Sequence, residues 1–195
     1  MLQQRALYPA MNEQDKRDQE ERRAVTAETE FDAIFETYYT RIFKYIRFRV
    51  DCEYTAEDLT SQVFEKVLTR YDTFRADRSP LEAWLIAIAR NTVNDYYRRQ
   101  QRRKLFCLDL FSESASREQG PEARSLTRET ASELNRALQK LKPQERHILA
   151  LKYGAGLKNV QIAEFTGLRE SHVGVMLFRA TKKLKMDLER ENGNG

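Results

Sequence analysis

Two cysteines, four prolines, seven glycines and one tryptophan are all that the 195 residues hold of those types. Each scarcity excludes something. Cys52 and Cys107 match no metal-binding or redox spacing, and with His147 and His172 they form no pair at i, i+3 or i, i+4. No metal is expected, and these four residues read as structural. No apolar run is long enough to span a membrane and no signal-peptide core is present, so neither membrane insertion nor export is expected, and the place of action is the cytoplasm. No phosphate-cradling glycine loop occurs, and no Ser or Tyr nucleophile sits in a cluster of arginines. No catalytic residue and no cofactor is therefore expected.

What is present is charge, at one third of the residues, with a net balance of only +4. With so little glycine and proline, this suits a mostly helical, soluble chain. The basic residues are clustered. Positions 88–104 carry Arg90, Arg98, Arg99, Arg102, Arg103 and Lys104 against Asp95 alone, a local excess that suits a polyanionic partner.

The most telling stretch is Asn159 to Lys185. Ile162, Ala163 and Phe165 give a short helix its apolar side, and Thr166-Gly167-Leu168 makes a corner where glycine can take a positive φ. Val173, Leu177, Ala180, Leu184 and Leu188 then follow on one face of a longer helix. This is a helix-turn-helix pattern, whose second helix suits the DNA major groove. An ordinary helical hairpin with a solvated basic face is the plainer alternative.

Along the chain, residues 1–28 are polar and read as a tail or a marginal solvated helix. Phe31 to Ile46 carry apolar residues at helical spacing. Thr55 is the expected cap of a second helix, with Leu59, Val63, Val67 and Tyr71 inward and Glu57 and Asp58 in its first turn. Ser79-Pro80-Leu81-Glu82 reads as a capping box opening a third helix. That helix turns Leu81, Trp84, Leu85, Ile88, Thr92 and Tyr96 inward. Periodicity fails from 105 to 129, which reads as a flexible linker. Thr130-Ala131-Ser132-Glu133 is the expected start of the next helix, and Pro143 starts another. The expected fold is all-α: two small helical domains, 29–104 and 130–190, joined by that linker, with short tails at 1–28 and 191–195.

Two blocks then meet a family. AEDLTSQVFEKV at 56–67 with PLEAWLIAIARNTVNDYYRR at 80–99, and ALQKLKPQERHILALKYGAGL at 137–157 followed by the helix-turn-helix, resemble regions two and four of bacterial RNA polymerase sigma factors of the extracytoplasmic-function group. The resemblance implies a sigma factor that binds core RNA polymerase and directs promoter recognition and transcription initiation in the bacterial nucleoid. It places Asp58, Leu59 and Gln62 against the clamp helices of the largest polymerase subunit, with the flap of the second-largest subunit as a further contact. Phe74, Arg75, Arg78, Arg90, Asn91, Asn94, Tyr97, Arg98 and Arg99 fall to minus-ten DNA. Arg169, Ser171, His172, Val175, Met176, Arg179, Lys182 and Lys183 fall to minus-thirty-five DNA. An anti-sigma factor is a further partner that the resemblance leaves open.

The departures are specific. Gly174, Val175 and Met176 stand where the family often has a basic, a small polar and an arginine residue. Lys158 and Arg169 replace small polar caps, with Asn159 able to cap one position later. Two other readings compete: a helix-turn-helix regulator acting without polymerase, and a recombinase. The second would need a nucleophile that the chain does not group with arginines.

Overall fold

The computed structural model describes residues 13–107 and 126–192. Seven α-helices carry these residues: α1 (Glu13–Arg47), α2 (Glu53–Arg70), α3 (Leu81–Cys107), α4 (Leu126–Gln139), α5 (Pro143–Leu149), α6 (Asn159–Thr166) and α7 (Glu170–Asn192). A 3₁₀ turn at Tyr71–Thr73 follows α2, and a π turn at Ala150–Gly154 prolongs α5. The described residues fall into two compact units, one up to Thr37 and one from Tyr38 onward. The linker expected at 105–129 falls largely outside the described residues, as do the first twelve positions of the expected tail.

Helix starts differ from expectation in instructive ways. Helix α1 begins at Glu13, because its Glu-, Gln- and Arg-rich opening has high helix propensity and holds no Gly or Pro, although it lacks an apolar stripe. Helix α2 begins at Glu53, two residues before Thr55, with no side-chain cap. Helix α3 begins at Leu81, and the Glu82 carboxylate is drawn to Arg41 instead of closing a box with Ser79. Helix α4 begins at Leu126, so Thr130 is interior. Helix α6 starts at Asn159, whose side chain accepts a hydrogen bond from Lys152 (3.0 Å) instead of capping. The Lys158 N–H donates to Gln161 (2.8 Å), which does the work of a cap from inside the helix.

In the second unit, Ile42, Tyr45, Ile46 and Val50 from the end of α1 are buried with Leu59, Val63, Phe64 and Val67 of α2 and Leu85, Ile86, Ala89 and Val93 of α3. Leu138, Leu141, Ile148, Leu149, Leu151, Ile162, Val173, Leu177 and Ala180 form the core of α4–α7. Gly167 ends α6 at φ +72°, the left-handed conformation that glycine adopts without Cβ strain.

The two helical regions are docked on each other within residues 38–195. Arg41 donates from Nε and Nη2 to the Ala155 carbonyl (3.0 and 2.6 Å). Arg47 Nη1 donates to Asn135 Oδ1 (2.9 Å), and the Asn135 amide donates in turn to the Asp51 carbonyl. Gly154 lies so close to α1 that a Cβ there would stand 2.7 Å from the Tyr45 Cα.

Candidate nucleic-acid and polymerase interface

Helix α3 sorts its polar residues by face. Asn91, Arg98 and Arg99 are exposed near its middle and end, and Arg75 and Arg78 are exposed on the loop before it. Phe74 is half-buried, with its ring centroid 5.3 Å from Trp84 and 6.2 Å from Tyr71. Thr92 is buried and accepts a hydrogen bond from Lys66 (2.9 Å). On α2, Asp58 is exposed and Gln62 half-buried. Leu59, expected at a polymerase face, is only 3% exposed: it belongs to the core, because its position shares the apolar stripe of Val63 and Val67.

Three of the expected DNA-facing groups on α3 are engaged within the fold, Arg90 by the docked helix α6 and Asn94 and Tyr97 by Arg49 of the turn after α1. The Arg90 guanidinium lies 5.9 Å from the centroid of Phe165 in α6, a cation–π distance. Asn94 Oδ1 accepts from Arg49 Nη2 (3.2 Å), and Tyr97 OH donates to the Arg49 carbonyl (2.6 Å). Arg49 is buried, and its Nη1 also donates to Tyr45 OH (3.0 Å) and to His147 Nδ1 (2.9 Å). A guanidinium can only donate, so Nδ1 of His147 is an acceptor and the ring proton sits on Nε2. Burial first, then Arg49 and Arg90, push the His147 imidazole down to about 3. Burial likewise pushes the Tyr45 and Tyr97 hydroxyls above their ordinary range.

Sequence reasoning missed Arg41, Tyr45, Arg49 and Gly154 and saw His147 only as structural. Periodicity marks Tyr45 as core, but nothing local marks which polar group reaches a partner 98 positions away.

Helix α7 presents His172, Val175, Arg179 and Lys182 to solvent, with Ser171 and, just ahead of the helix, Arg169 also exposed. Val173, Leu177 and Ala180 face the core. Met176 is half-buried. Lys183 is bonded to Glu145 of α5, a contact that lowers the Glu145 pKa and withdraws this lysine from the free basic face. A Cβ at Gly174 would meet nothing within 4 Å. Gly174→Ala should therefore raise stability by up to about 1 kcal/mol, read as a higher denaturation midpoint. A lower midpoint would mean that the position has a neighbour to clash with.

Residues 34–103 match the Sigma-70 region 2 family and residues 131–184 the Sigma-70, region 4 family. The RNA polymerase sigma factor YlaC of Bacillus subtilis is 30% identical over 158 residues, 80% of this chain and 91% of that protein. The chain belongs to the sigma-70 family, in its extracytoplasmic-function group. The ECF RNA polymerase sigma factor BldN of Streptomyces coelicolor is also 30% identical, over 79% of this chain and 58% of that longer protein. Two solved structures share the fold at 22% identity. They are the sigma factor RpoE of Bartonella quintana with the anti-sigma factor NepR (TM-score 0.65, 82% of this chain and 97% of that one) and CnrH with the cytosolic domain of CnrY (0.62, 86% and 95%).

As a sigma factor the protein directs promoter recognition and transcription initiation by RNA polymerase, and it is not an enzyme. No described helix is long and apolar enough to cross a membrane.

Proposed function

We propose that region two, about residues 29–104, holds polymerase and opens the minus-ten element, while region four, about 130–190, reads the minus-thirty-five element. Asp58 carries the polymerase assignment. With α2 starting at Glu53, Asp58 sits past the first turn, where the helix dipole no longer rewards a carboxylate. It is exposed and makes no ion pair among the described residues, so its charge is available to a partner. Together with Gln62 it suits the clamp helices of the largest subunit, with the flap of the second-largest subunit as the counterpart of region four. Asp58→Arg should weaken core-polymerase binding at least tenfold in a pull-down with helix content unchanged. Undiminished binding by the folded variant would remove this face from the interface.

On the DNA side, Asn91, Arg98 and Arg99 with the Phe74–Arg78 loop offer amide, cationic and aromatic groups to an unpaired strand. Arg169, Ser171, His172, Val175, Arg179 and Lys182 offer region four's contacts, with Val175 and Met176 suited to thymine methyls.

The docked arrangement is not the one that reads a promoter. The two elements lie roughly 25 base pairs apart by their names, about 85 Å at 3.4 Å per pair. Phe165 touches Arg90 and precedes Glu170 by five positions, which keeps the start of α7 within about 25 Å of Arg90. Region four must leave region two before both elements are held. A protein binding across both regions would stabilise the docked form, and an anti-sigma factor is the class that fits.

A further inference from the structure

Arg49 is 8% exposed, and every partner of its guanidinium is neutral: Tyr45 OH, His147 Nδ1 and Asn94 Oδ1. A buried cation without an anion is costly, and buried charges are ordinarily paired. Nearby, Arg146 of α5 gives one Nη1 bond to Gln139, again neutral, and its buried Nε has no partner. Both arginines line a cleft of ≈ 460 Å³ between α3 and α5, together with Asn94, Tyr97, Arg98 and Gln101. No carboxylate lines it, and of its lining arginines Arg98 pairs with Asp95 at 3.5 Å.

We propose that this cleft binds a small di- or polyphosphorylated ligand, which supplies the anion that Arg49 and Arg146 lack. Guanidinium groups suit phosphate oxygens because they offer several donors in one plane. The cleft also has the size of a small-molecule site and exceeds what a lone phosphate fills. Tyr97 gives it an aromatic wall, and Asn94 and Gln101 give it amides. Its walls come from both regions, so it exists only while they are docked. A ligand there stabilises the closed sigma factor and opposes promoter engagement. This effect rests on the opening proposed above; the binding itself does not. A DNA backbone is the weaker candidate, because the form that holds the cleft cannot span both promoter elements.

The test is calorimetric titration of the full chain, without polymerase or DNA, with inorganic pyrophosphate and separately with GDP. One-to-one binding of either probe is expected, weakened at least tenfold by Arg146→Ala, less by Arg146→Lys, and not by Arg70→Ala on the exposed end of α2. Tighter GDP than pyrophosphate binding would assign the site to nucleotides, and equal binding to the polyphosphate alone. Gly154→Ala, which separates the cleft walls, should abolish binding. Absence of saturable binding by both probes would overturn the proposal. So would binding indifferent to Arg146→Ala in a folded variant, or uptake of a single-stranded oligonucleotide only. None of these outcomes bears on Asp58 and polymerase, so failure here is distinct from failure of the functional assignment.

Discussion

Gly154→Ala should part region four from region two while leaving both folded. The added Cβ would stand 2.7 Å from the Tyr45 Cα, 2.8 Å from its N and 3.0 Å from the Lys44 carbonyl carbon. These are backbone atoms, so no rotamer change relieves the clash. Alanine itself suits position 154, which lies in a π turn with no positive φ, and within region four the change removes glycine's entropic penalty. The cost therefore falls on the docking contact. His147 reports the outcome: freed from Tyr45 and Arg49, its imidazole should regain a pKa near 6.5, the ordinary value, from about 3 in the docked chain. Proton NMR titration of the His147 ring in the full-length variant reads that change directly. A ring that still resists protonation down to pH 4 would show the contact intact.

The second large effect is acid sensitivity of the wild-type chain. The His147 pKa is depressed from 6.5 to about 3 in the fold, so between those values an exposed imidazole binds a proton that the docked one refuses. Stability contributed by neutral His147 is thus full above about pH 6.5 and is lost progressively as pH falls toward 3. The loss between pH 7.5 and pH 5 is about 2 kcal/mol, at up to 1.36 kcal/mol per pH unit. Glu145, whose pKa is lowered by its Lys183 bond, acts in the same direction at still lower pH. Denaturant titrations at the two pH values should show that loss in the wild type and most of it removed in His147→Gln, whose amide oxygen can accept from Arg49 and carries no titrating proton. An equal acid loss in His147→Gln would place the sensitivity elsewhere.

Much of the architecture was legible because it depends on local pattern. Val173, Leu177 and Ala180 repeat on one helical face, and Gly167 occupies the corner that needs a positive φ. Pro143 opens α5, as its fixed φ and missing N–H favour. Three of the differences share one cause. Polar side chains compete for partners on other elements that a local reading does not contain: the expected caps Glu82 and Asn159 are taken by Arg41 and Lys152, and the expected DNA contact Lys183 by Glu145. Leu59 is buried, as its place on the inward stripe of Val63 and Val67 dictates, and not at the polymerase face that the family resemblance implies. The docking of the two regions was illegible for the same reason on a larger scale. Arg49 reads in sequence as one more basic residue at a helix end, and its burial is set by His147 and Asn94 from distant segments.

The most direct test of the central claim is run-off transcription with purified core polymerase on genomic fragments of the source organism. The assignment of region two to polymerase and minus-ten DNA, and of region four to minus-thirty-five DNA, predicts discrete start sites that require the chain. It also predicts that Asp58→Arg abolishes them and that Asn91→Ala diminishes them. Chain-dependent transcripts unaffected by Asp58→Arg and Asn91→Ala would contradict the assignment, as would tight, selective DNA binding by the chain alone with no transcript from the reconstituted enzyme.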